Sequence, residues 1–135
     1  MGLAERRAVE RFKSEDYPGW LARIEEAARF PVPVEVVWEE LAVNDFADDY
    51  ADLFSKVYFQ PLVDALAAVT IDELGTTAAR AGIKKIIIRN TGQYHSISGF
   101  TFVDGIVTLD HQPNSNVDYV DERAKGLRQI LESGL

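Results

Sequence analysis

From Lys84 to His111 runs of β-prone apolar residues are separated by polar turn residues, and this stretch predicts the sheet around which the rest of the chain is arranged. Its clearest part is Phe100-Thr101-Phe102-Val103-Asp104-Gly105-Ile106-Val107-Thr108-Leu109, two β-prone runs joined by an Asp-Gly pair suited to a type I′ turn. A two-residue loop fixes register: Val103 faces Ile106, Phe102 faces Val107, Thr101 faces Thr108 and Phe100 faces Leu109. Phe100, Phe102, Val107 and Leu109 then share one apolar face, to be buried against helices, and Val103, Ile106, Thr101 and Thr108 share the other. Upstream, Lys84 to Arg89 reads as a β-branched strand, and Asn90-Thr91-Gly92-Gln93 as the turn returning it into a strand from Tyr94 to Ser98. The expectation is an antiparallel meander over about 84–111.

Elsewhere the period lengthens to that of helices. Leu3 to Lys13 carries mixed charges around Ala8, Val9 and Phe12, and a second helix with Pro18 near its start runs to about Arg29, with Leu21, Ile24 and Ala28 on one face. Phe30-Pro31-Val32-Pro33 ends it. Residues 32–38 alternate as an edge or starting strand, although the same residues through Leu41 could instead open a helix. Asn44 is a candidate N-cap for a helix from Asp45 to about Phe59, which Gln60-Pro61 should kink or restart. Thr70-Ile71-Asp72-Glu73 matches a capping box, with Thr70 as cap and Gly82 just past the helix end. After the loop His111 to Asn116, Ser115 or Asn116 caps a last helix from about Val117 to Glu132. The predicted fold is α+β: an antiparallel sheet of three or four strands covered by several helices, with a C-terminal helix after the sheet.

A length of 135 residues fits a single α+β domain over 1–135 with a normal core. Cysteine is absent, which excludes disulfide frameworks and thiolate sites, and no apolar run approaches the roughly 20 residues of a membrane span. Met1 to Lys13 is too charged for a signal peptide, so the expected compartment is the cytoplasm. The net charge of −8 argues against direct nucleic-acid and anionic-membrane binding, and favours a basic protein as partner.

Candidate chemistry is sparse. The register places His95 and His111 on opposite faces, and no His-carboxylate spacing suits a metal, so neither metal nor cofactor is expected. An enzymatic or ligand-binding reading gathers Tyr94, His95, Asp110 and His111 at the open end of the meander as catalytic candidates, with Asn114 and Asn116 as ligand-binding ones. Each has a plainer explanation. His111 suits a core-edge side chain bonded to Ser98 or a nearby carbonyl, and the asparagines suit turns and caps. Asp45, Asp48, Asp49 and Asp52 form the other candidate, an acidic face for docking a basic partner, against the plainer reading of a solvated helix face. These residues favour a binding protein over an enzyme: an inhibitor, an antitoxin-like protein or a regulatory partner of a basic protein. The alternatives are a small enzyme at the His95 and His111 end, and a subunit of a homo-oligomer joined through the Val103, Ile106 and Thr108 face or the Val32 strand.

Overall fold

A computed structural model of the chain describes residues 2–135. Helices α1 (Leu3–Glu15) and α2 (Tyr17–Ala28) lead into β1 (Val34–Val36), followed by one short turn of helix, α3 (Trp38–Leu41). The helical run α4 (Tyr50–Phe54) to α5 (Gln60–Val69) comes next, then α6 (Glu73–Gly82), β2 (Lys85–Arg89), β3 (Phe100–Val103), β4 (Ile106–Asp110) and α7 (Val120–Gly134). Residues 32–38 thus contribute a short edge strand and the start of α3.

The hairpin forms in the expected register, with Phe100 opposite Leu109 and Val103 opposite Ile106. Asp104 and Gly105 have φ of 52° and 81°, the left-handed pair that a type I′ turn requires. The meander does not form. The strand order is β1-β2-β4-β3, and β2 runs parallel to both β1 and β4. Ile86 and Ile88, aligned with Val107 and Leu109 across the parallel pair, are all fully buried, as an Ile-Ile-Ile run in a central parallel strand should be. Tyr94 to Ser98 lacks that apolar content and forms no strand. Instead, residues 90–99 pass around the end of β4: the Gln112 N–H donates to the Tyr94 carbonyl, and a Cβ added at Gly99 would stand 2.0 Å from the Asp110 carbonyl oxygen. Only glycine permits so close a crossing, which delivers β3 to the outer edge.

The helices cover one face of the sheet. Phe100, Ile86, Ile88, Val107 and Leu109 point into their layer, and α7 packs on both α5 and β3. A cluster of rings fills the other end of the core, with the Phe12 centroid 5.2 Å from Phe54 and 5.7 Å from Phe59.

Three helix boundaries differ from expectation, each for a local reason. Asp45 has φ 72° and Asn44 caps nothing; a 3₁₀ turn (Ala47–Asp49) precedes α4. The helix does restart at Gln60-Pro61, where α5 begins with Pro61 in its first turn; just before it Ser55–Phe59 widens into a π turn, in which the Gln60 N–H reaches back to the Ser55 carbonyl. The cap of α6 is Asp72, which accepts from the Gly75 N–H at 2.8 Å, while the Thr70 hydroxyl donates to the Ala27 carbonyl at 2.6 Å and ties α5 to α2. Gly82 lies inside α6 as its final residue.

Leu109→Ala should cost about 2–5 kcal/mol in urea unfolding, because it empties a fully buried site between strand and helices. Val103→Ala, on a side chain 61% exposed, should cost less than about 1 kcal/mol. Equal costs would contradict the one-sided sheet.

Candidate functional site

Parallel pairing of β2 with β4 brings their carboxyl ends together, the place where open α/β sheets commonly receive ligands. The polar groups there bond to one another. Glu40 takes a forked pair of bonds from Arg89, at 3.2 and 2.9 Å, and also accepts from the Asn90 N–H. Asp110, 7% exposed, accepts from both the N–H and the hydroxyl of Thr91, at 2.9 and 2.7 Å. Asp110 is therefore a cap for the turn after β2, with its acceptor oxygens directed at Thr91.

His111 has no solvent exposure. Its Nδ1 lies 2.6 Å from the Gln112 carbonyl oxygen and so carries the proton, leaving Nε2 as a buried acceptor with no donor. Its ring sits 6.0 Å from that of Phe100, and its own carbonyl accepts from the buried Tyr58 hydroxyl. Burial lowers the imidazole pKa below 6.5, the nearby Arg123 adding to the effect, while the Gln112 carbonyl opposes it. Burial likewise holds the Tyr58 phenol well above 10. His95 is exposed in the 90–99 connection, and its carbonyl accepts from the Asn116 side chain. Asn116 adopts φ 49°, Asn114 is exposed, Tyr94 is half-buried, and none of the three caps a helix. A cleft of about 420 Å³ lies elsewhere, between α2 and α5, lined by residues that include Arg23, Arg29 and Ile71.

The organising residue of this end is Arg123, which the sequence reading passed over. It is 2% exposed and donates to the carbonyls of Asn116 at 2.6 Å, Val117 at 2.5 Å and Lys56 at 3.2 Å. In the π turn the donor next in line for the Lys56 carbonyl would be residue 61, and Pro61 has no N–H. The guanidinium supplies what proline cannot. By holding the carbonyls of Asn116 and Val117 it also keeps 117–119 out of the helix, so α7 begins at Val120 and neither Ser115 nor Asn116 caps it. One signal was available: Arg123 lies three residues after Val120 and four before Leu127, on the apolar stripe of α7.

Comparison with protein families, with curated proteins and with solved structures finds no match to this chain.

Asp45, Asp48, Asp49 and Asp52 are all exposed, but they do not share one regular helix face: Asp45 lies in a loop, Asp48 and Asp49 in the 3₁₀ turn, and Asp52 in α4. The opposite side of this segment is anchored by buried Tyr50, Leu53 and Phe54, and the Tyr50 hydroxyl donates to the Val43 carbonyl at 2.7 Å. Burial pushes the Tyr50 pKa up to about 12, with Glu5 of α1 contributing. Lys56 joins Asp52, at 3.3 Å, to Asp118, at 3.1 Å, and so extends the acidic surface to the start of α7. Among the described residues, no three of His, Asp and Glu stand close enough together to hold a metal ion.

Two outcomes test this description. Arg123→Met should destabilise by about 2–4 kcal/mol, because three carbonyls lose a charged donor, and Arg123→Lys should recover little of it, since an ammonium cannot fork as guanidinium does. A neutral Arg123→Met would contradict the assigned role. The unfolded chain protonates His111 near pH 6.5 while the folded chain resists, so this residue's stabilising contribution is complete above that pH and falls as the pH drops toward the lowered folded value. His111→Leu should flatten that part of the slope in urea titrations between about pH 5 and 8.

Proposed function

We propose that this chain is a binding protein that docks a basic partner protein through the surface carrying Asp45, Asp48, Asp49 and Asp52, as an inhibitor, antitoxin-like protein or regulatory subunit. The observation that carries this reading is the placement of those four side chains: all exposed, on a segment whose other side is locked into the core. Lys56, ion-paired with Asp52 and Asp118, bridges them to a further acid next to Tyr119, an aromatic side chain 56% exposed. Exposed acids with an exposed tyrosine next to the last of them supply what a basic partner recognises: a steering field, with an aromatic anchor beside it. The polar groups at the His111 end favour binding over catalysis by their occupation, since Asp110, Glu40 and the His111 Nδ1 each already hold an internal partner. No described helix is long and apolar enough to cross a membrane. A cytoplasmic setting accompanies the proposal, because a chain without cysteine needs no oxidising compartment to fold.

Capture from host lysate by the immobilised chain should retain a basic protein at low salt and release it at high salt, as screened surface charges require. Replacing Asp48, Asp49 and Asp52 together by Asn should weaken that capture about tenfold or more while moving Tm by no more than a few degrees. Capture unchanged by the triple substitution would remove the acidic surface from the account.

A further inference from the structure

The uncovered face of the sheet carries a second inference. Strands that pair in parallel are normally covered on both faces. Here β1, β2 and β4 are parallel, yet the face opposite the helices presents Ile87, Ile106, Val103, Thr108 and Thr101 to the surface, with Ile106 36% and Val103 61% exposed. These residues come from three adjacent strands and form one patch: Lys85 aligns with Ile106 and Val103, and Ile87 with Thr108 and Thr101. Its charges differ from those of the rest of the surface. In a chain of net charge −8, four of the charges here stand as opposed pairs, Glu35 with Lys85 at 3.3 Å and Glu40 with Arg89 at 2.9 Å, while Asp104 of the hairpin turn is exposed beside Val103. Asp110, the remaining acid on this face by strand alternation, is 7% exposed and held by Thr91.

We infer that this open sheet face is the contact between two copies of the chain, packed face to face about a two-fold axis. Charge decides the occupant. Two molecules each bearing −8 repel wherever acids predominate, and a two-fold contact sets the same patch against itself, so it favours the face with the fewest unpaired exposed charges. Four of the ions at this face are already paired, which leaves only Asp110, withdrawn from solvent, and the turn residue Asp104 without a cation, and an apolar stripe with cross-strand threonines gives the copies matching surfaces to bury. A basic partner, by contrast, would find one unpaired exposed acid here, Asp104 at the rim, against the several exposed acids of the Asp45 to Asp52 surface. The arrangement leaves the helical layers of both copies facing outward.

Sedimentation equilibrium from about 1 to several hundred µM tests the inference by mass action. The expected result is a concentration-dependent rise from 15.1 kDa to twice that mass. Val103→Asp, at a position exposed enough to leave the fold intact, should abolish the rise, with an unchanged far-UV spectrum as the control. Glu35→Lys, which leaves Lys85 facing a second cation, should raise the dimer dissociation constant about tenfold or more, and Glu35→Lys with Lys85→Glu should restore it. A chain that stays at 15.1 kDa throughout would overturn the inference, and so would a dimer indifferent to Val103→Asp.

Discussion

The structure depends on the parallel pairing of β2 with β4. Once Ile86 and Ile88 lie beside Val107 and Leu109, the four side chains make one fully buried row across the middle of the sheet, and only that face can accept helices. The pairing also dictates where β3 goes. A type I′ hairpin forces β3 against β4, and β2 already occupies the other side of β4, so the ten-residue connection 90–99 has to pass around the end of β4 to the edge. Gly99 makes that passage sterically possible. The Asp110 carboxylate, held by Thr91, closes the turn that begins it.

The helical layer has its own chain of causes, which starts at Pro61. A proline inside a helix leaves a carbonyl without a donor, and here the backbone widens into a π turn instead of breaking. Arg123 reaches across from α7 to the Lys56 carbonyl, and the remainder of its guanidinium arranges the loop before α7. The buried cation in turn adds to the pressure that keeps the His111 ring neutral. Pro61, Arg123 and His111, far apart in the chain, thus belong to one polar arrangement inside the core.

Much of the local structure was legible in the sequence. The Asp104-Gly105 turn and its register, the edge position of the Val34–Val36 strand and the helical stripes all follow from spacing and turn chemistry. What escaped was non-local. Hairpin logic applies only to neighbours in the chain, so it extended Tyr94 to Ser98 into a strand that does not exist, while the unbroken Ile86-Ile87-Ile88 run already carried the mark of a parallel strand. Capping rules chose Thr70 over Asp72 because the demand of the Ala27 carbonyl for the Thr70 hydroxyl arises only in the folded chain. Of the candidate site residues, the four aspartates were readable as exposed acids, but their link through Lys56 to Asp118 spans 62 residues and has no local signature.

Charge is therefore partitioned over the surface. The helical side carries unpaired acids around Asp48 and Asp49, and the open sheet face carries paired ions around an apolar stripe, so the two surfaces suit different partners. That division rests on the sheet being one-sided and centred on β2 and β4. The most direct test is amide hydrogen exchange resolved by residue in the native chain. The account predicts the slowest exchange at Ile86 to Ile88 and Val107 to Leu109, with His111 protected by its bond to the Arg89 carbonyl and residues 95–98 exchanging quickly. Strong protection running through Tyr94 to Ser98, at the level of the Ile86 strand, would mean a meander after all and would contradict it.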